Sequence, residues 1–126
     1  MREQHVVPLA RQVLGLLHDL RANARPGKYL FPSVRSTERA ISDNTINAAL
    51  RRVGFSGDEM VSHGFRSIAS TRLNELGWHP DLIELQLAHA ERNEVRSAYN
   101  RAQRLDERRK MMQAWADHLD DLRQTK

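Results

Sequence analysis

The sequence predicts a mainly α-helical fold with a few short β-strands near the N-terminus. Apolar residues recur at helical spacing in several segments, and glycine or proline stands at the ends of those segments. The two stretches suited to an extended backbone, "HVVPL" and "KYLFPS", both fall early in the chain. At 126 residues the chain is long enough for one compact domain with a modest core and too short for two, so residues 1–126 read as a single domain.

In "HVVPL", His5, Val6 and Val7 suit a strand, and Pro8 drives its predecessor out of the helical region. From Leu9, the residues Leu9, Val13, Leu16, Leu17 and Leu20 follow helical spacing, and the pattern fades before Pro26 and Gly27. "KYLFPS" offers a short extended piece ended by Pro32, and the polar "SVRSTERAIS" reads as a loop. Ser42 is the expected N-cap of a second helix, "DNTINAALRRV", in which Ile46, Ala49, Leu50 and Val53 share a side. Arg51 and Arg52 favour the negative end of its dipole, and Gly54 stops it. A third helix spans about 64–76 with Gly77 as its stop, and a fourth begins at Pro80. "RNEVRSAYNRA" suits a short fifth helix. The last helix, about 105–122, places Leu105, Met112, Trp115, Leu119 and Leu122 on one stripe.

Charge and composition narrow the function classes. Hydrophobic residues make up 40% and charged residues 29%, and no apolar run approaches the length of a bilayer span, so a soluble protein without a membrane partner is expected. "MREQHVVPLARQ" has no apolar segment of the secretory kind. With no cysteine, disulfides and thiolate metal sites are excluded, which fits a reducing cytoplasm. The net charge of +4 tilts mildly toward a polyanionic partner.

In "SHGFRSIASTRLNELG", His63 and Arg66 are three apart and so share a helix face. Phe65, Ile68, Ala69, Leu73 and Leu76 lie mostly on another side, although Arg72 interrupts them, which leaves His63 and Arg66 to face a cleft. A guanidinium binds phosphate through two parallel hydrogen bonds, and a neighbouring imidazole can donate a bond or move a proton. An isolated H-x-x-R also arises by chance, as a helix-start histidine beside a solvated arginine. His89 follows "LIELQL", anchored by Ile83 and Leu87, and alone it would be structural. Tyr99 stands among Arg92, Arg96 and Arg101, which would hold a phosphate near its phenol; the plainer alternative is an ordinary half-buried tyrosine. A phenol with a free pKa of about 10 needs positive neighbours to act as a nucleophile at neutral pH. The six histidines show no H-E-x-x-H spacing and no compact ligand cluster, so a histidine metal site is not expected.

"HGFR", then "LAH", then a tyrosine ten positions after that histidine resembles, in order and spacing, the C-terminal part of the catalytic domain of the tyrosine recombinases, the phage integrase family. The prophage and satellite-phage type shares the look of "HVVPLARQ", "YLFPS", "NTINAALRR", "HGFRSIASTRLNE" and "AYNRA", so the likeness covers nearly the whole chain. The resemblance implies part of a DNA breaking-rejoining fold that acts on double-stranded attachment sites in the cytoplasm of a bacterial host, at the nucleoid. It implies Tyr99 as the nucleophile that forms a 3′-phosphotyrosyl bond, Arg66 as a stabiliser of phosphate charge, His63 as a proton-transfer group, and His89 as a hydrogen-bond donor to the phosphate. No cofactor is implied, because the covalent link conserves the bond energy.

Two family parts have no counterpart in these residues: another catalytic arginine on an earlier helix, and a lysine on a β-hairpin, for which Arg2 is not a secure substitute. The chain therefore reads as an incomplete catalytic domain, expected to recombine DNA poorly alone, since a site that acts as a unit loses heavily when one phosphate-binding group is missing. The last helix has two readings, packing on its own chain or docking on a neighbouring subunit in a homo-oligomer. The functional alternative is a non-catalytic helical DNA-binding or assembly module derived from an integrase.

Overall fold

The computed structural model describes residues 5–24, 26–88 and 104–125. Those residues contain five helices: α1 (Arg11–Asn23), α2 (Thr45–Arg52), α3 (Gly64–Glu75), α4 (Pro80–Gln86) and α5 (Leu105–Gln124). The helix suggested for "RNEVRSAYNRA" lies outside the described residues. Two compact units form, one from Gly15–Ser67 and one from Met1–Leu14 with Ile68–Lys126. No described helix is long and apolar enough to cross a membrane.

The helical expectation holds, whereas the expected N-terminal strands are corrected: no strand occurs among the described residues. In "HVVPL" the backbone finds side-chain and not strand partners, because the Val6 carbonyl accepts from Arg108 Nη2 at 2.7 Å. "KYLFPS" reaches only a single antiparallel bridge, Pro32 to Ala40. Ser33 N donates to the Arg39 carbonyl at 2.8 Å and Ile41 N to the Phe31 carbonyl at 3.0 Å, so Pro32 and Ala40 form a non-hydrogen-bonded pair, whose geometry asks no N–H of the proline.

Helix ends follow local chemistry. At the end of α3, Gly77 (φ +82°) adopts the left-handed region, its N–H bonds the Asn74 carbonyl at 3.0 Å, and Trp78 N bonds the Leu73 carbonyl at 3.1 Å. This is a Schellman closure, with Trp78 packed against the cluster that contains Leu73. The end of α2 repeats it, with Gly54 (φ +103°) bonded to Arg51 and Phe55 N bonded to the Leu50 carbonyl at 3.0 Å. α4 opens as expected at Pro80, with the His79 ring Nδ1 accepting from Asp81 N at 3.2 Å. Ser42 is not the N-cap of α2; Asn44 is, and it makes no side-chain capping bond. Ser42 instead sits one turn earlier, its hydroxyl 3.0 Å from Thr45 Oγ1.

The core of the second unit is small. Leu73 from α3, Leu82 and Ile83 from α4, and Met111 from α5 are buried together, flanked by Trp78, Leu87, Met112 and Trp115. Full burial of a side chain of this size contributes about 1.5–3 kcal/mol. Arg108 and Met111 are the buried residues described on α5, with Met112 and Trp115 of the predicted stripe partly buried beside them; Leu119 and Leu122, also placed on that stripe, are about half exposed. Seven-residue α4 cannot cover a twenty-residue partner. Likewise α1 buries none of its residues, and Leu16 is 68% exposed. In α3 only Leu73 is buried, while Phe65 and Ile68 remain exposed, as does Leu76 just past its end.

Within the same unit, polar bonds fasten the start of α1 to α5. Gln113 Oε1 accepts from Arg11 N at 3.0 Å, satisfying one of the helix's orphan donors. Gln113 Nε2 donates to Gln12 Oε1 and to Asp117 Oδ1, each at 2.9 Å, and Gln12 Nε2 donates to Asp117 Oδ1 at 2.7 Å and to Asp120 Oδ2 at 3.1 Å. The bonds from Gln12 and then Gln113 hold the Asp117 carboxyl below its ordinary range. A depressed folded-state pKa means that this contribution to stability is present above the unfolded-state value and is lost as pH falls through the folded-state value. NMR titration should therefore place Asp117 below a free aspartate, and Gln12→Leu should move it upward; an unchanged titration would remove the bond from solution.

Candidate active site

His63 and Arg66 both belong to the unit Gly15–Ser67. His63 is exposed in the turn immediately before α3, one residue short of the helix in which sequence spacing places it, and Arg66 is half-buried in the first turn. Arg66 N donates to the His63 carbonyl at 3.1 Å, so one turn of backbone joins the two. The start of α3 adds its own positive dipole, which favours an anion there.

The turn is held from α2. Asn47 Oδ1 accepts from Ser62 N at 2.8 Å, in a half-buried position next to His63. The Arg51 guanidinium donates to the Phe55 carbonyl and, at 2.6 Å, to the Met60 carbonyl. Sequence spacing gave Arg51 a helix-dipole role and Asn47 none; both clasp the connection that carries His63. Ser56 and Glu59 bond reciprocally, Ser56 N to Glu59 Oε2 at 2.7 Å and Glu59 N to Ser56 Oγ at 3.3 Å. That S-x-x-E spacing in "SGDE" was a readable signal for this turn. These bonds from Ser56 pull the Glu59 carboxyl below its usual range, with a smaller pull from Arg51. A side chain at Gly64 would bring its Cβ to 3.0 Å from Met60 Sδ, so glycine lets this loop pass close to the start of α3.

The "LAH" segment leaves α4 in the other unit. Ile83 is fully buried and Leu87 packs on the core, as their anchoring role requires. The Gln86 side chain accepts from Arg108 Nε at 3.0 Å, and the Gln86 carbonyl lies 3.3 Å from His5 Nε2. Ala88 then adopts φ +53°, the place after the helix where Gly54 and Gly77 stand in α2 and α3. Its N–H bonds the Leu85 carbonyl at 3.2 Å. An alanine in the left-handed region costs roughly 1–2 kcal/mol. His89 and Tyr99 lie outside the described residues, so of the four expected site residues the structure brings together His63 and Arg66. Among the described residues no three His, Asp or Glu side chains gather in a way that could hold a metal ion. Ala88→Gly relieves the strain and loses about 0.5–1 kcal/mol to chain entropy, so thermal unfolding should show a net gain on the order of 0.5 kcal/mol. Ala88→Val should destabilise, and a gain with valine would contradict the left-handed geometry.

The sequence profile of the phage integrase family matches residues 1–105, a span that includes His63, Arg66, His89 and Tyr99. The integrase of Enterobacteria phage P4 is 47% identical over 123 residues, 95% of this chain and 28% of that protein. Prophage integrase IntA of Escherichia coli K12 is 48% identical over 117 residues, 93% of this chain and 28% of its own length. The integrase of Shigella phage Sf6 is 43% identical over 121 residues, 95% of this chain and 31% of its own length. The chain thus spans less than a third of these curated relatives. No solved structure matches it significantly. Motif order, the His63–Arg66 turn and the match over most of its length agree: the chain belongs to the phage integrase family.

Proposed function

We propose that this chain is the tyrosine-bearing part of a site-specific DNA recombinase, for phage or prophage integration or excision at double-stranded attachment sites. The observation that carries the reading is the family match across all four expected site residues. The single backbone turn that joins Arg66 to His63 at a helix start supports it. The Tyr99 phenol oxygen attacks the scissile phosphorus, a phosphotyrosyl bond forms at the 3′ side, and the bond to the 5′ oxygen breaks. Arg66 neutralises charge that builds on the phosphate oxygens, where fixed donors contribute most. His63 serves the transferring proton and His89 donates to the phosphate. The 5′-hydroxyl then attacks the phosphotyrosyl of the partner strand, which restores the phosphodiester and frees Tyr99. Such an enzyme would work in the bacterial cytoplasm, at the nucleoid.

The half-exposed Leu119 and Leu122 on α5 support a homo-oligomer made through that helix. Light scattering over a dilution series should show a species heavier than one chain, and a strict monomer at all concentrations would remove this part of the proposal.

Incubation with nicked suicide DNA substrates that carry candidate attachment sequences tests the chemistry. A weak covalent protein–DNA band on denaturing gels is expected, abolished in Tyr99→Phe and strengthened when a longer integrase supplies the remaining catalytic arginine and lysine. DNA binding that Tyr99→Phe leaves intact, with no covalent band under either condition, would favour a non-catalytic module.

A further inference from the structure

We propose that the cleft between the 33–40 turn and the start of α2 is a binding site for the phosphates of a DNA backbone. The proposal rests on the DNA-recombinase reading above and assigns a contact which that reading leaves open. The Pro32–Ala40 bridge folds this segment back on itself and sets Ser33 beside Arg39 through the 2.8 Å bond from Ser33 N. The resulting cleft has a volume of about 830 Å³, and its polar lining consists of Ser33, Arg35, Ser36, Arg39, Ser42 and Thr45. No carboxylate is among its lining residues.

The chemistry of the lining is that of an anion site. Arg35 and Arg39 are exposed, and among the described residues neither forms an ion pair, so their charge is not spent on a protein carboxylate. Ser33 Oγ accepts from Arg35 N at 3.3 Å and Ser36 Oγ accepts from Glu38 N at 3.2 Å. Each hydroxyl therefore uses a lone pair locally and keeps its O–H to donate. Ser42 and Thr45 share one bond between their hydroxyls, which leaves one further O–H. Two guanidinium groups and three hydroxyl protons thus open on one space, a donor set suited to phosphate oxygens and carrying no information about base sequence.

The distribution of charge points the same way. Gly15–Ser67 holds eight Lys and Arg against five Asp and Glu, a surplus of three, whereas the rest of the chain holds twelve against eleven. Most of the net +4 therefore belongs to the unit that contains the cleft. The cleft is also far roomier than a single ion needs, which suits a sugar–phosphate strand lying across it.

The test is the salt dependence of binding to duplex DNA of arbitrary sequence, read by fluorescence anisotropy between low and moderate NaCl. Each neutralised phosphate contributes about 0.9 to the slope of log K against log salt, so Arg35→Gln with Arg39→Gln should lower the slope by ~1.8. The loss should be alike for all sequences. Arg109→Gln with Arg123→Gln removes equal charge from arginines that face Asp106 and Asp120, and should lower the slope clearly less. An unchanged slope in the Arg35/Arg39 pair, or equal losses in both pairs, would overturn the proposal. Should the unaltered chain bind no duplex at all, the DNA reading fails, and inorganic phosphate judges the cleft by itself. Amide shifts at Ser33, Ser36 and Arg39, absent in the double variant, would keep it as an anion site; no shifts would overturn it.

Discussion

The unit that carries the "LAH" segment is organised around the guanidinium of Arg108. The side chain is 2% exposed, and its two bonds run to neutral acceptors, the Val6 carbonyl and Gln86 Oε1. Taking a cation out of water is costly unless its donors are used, and burial lowers the pKa of this group, yet a guanidinium stays charged under any ordinary condition. Charge-assisted bonds offset that cost, and their geometry leaves little freedom. Three segments far apart in sequence are thereby placed: residues 5–7, the end of α4, and α5. With four described residues in the buried apolar cluster, such bonds help to set the register that a larger core would set by packing alone.

The same constraint reaches the segment that leads to His89. Gln86 is held twice, by Arg108 through its side chain and by His5 at its carbonyl, and Leu87 is packed on the core. The chain therefore leaves α4 in a fixed direction, and Ala88 comes next. It turns through the left-handed region without a glycine. At α2 and α3 the equivalent turns use Gly54 and Gly77 and carry no such strain, so among the described residues a left-handed non-glycine stands only at the exit that precedes an expected site residue.

Much of the architecture was legible because helix ends are written in local chemistry. Gly54, Gly77 and Pro80 mark ends that the structure reproduces, and α3 begins at Gly64, one residue after the histidine that spacing puts on its face. What covers a helix face is not local. The leucines of α1 follow helical spacing, yet Leu16 is largely exposed, because periodicity reports that a face is apolar and not what lies against it. Arg108 in "DERRKMM" carries no signal in the sequence, since nothing in its neighbours reveals the Val6 carbonyl that it binds. The candidate site shows the same division: His63 and Arg66 draw notice by type and spacing, whereas Asn47 and Arg51, which hold their turn, look like ordinary helix residues.

Sorting the arginines by what they touch explains how a chain of modest net charge can still address a polyanion. Arg72, Arg109 and Arg123 face carboxylates one helical turn away, at Glu75, Asp106 and Asp120, and Arg104 stands 3.8 Å from Asp81. Exposed pairs of this kind contribute little to stability, but they cancel field. Arg51 and Arg108 spend their donors on the fold's own acceptors. Arg35 and Arg39 do neither, and they share a unit with Arg66. The composition understates the field because it averages neutralised and structural cations with those left to the surface. An anionic strand would meet the charge where the fold has not already used it, and for that reason the position of each arginine, more than the total, sets what this surface can bind.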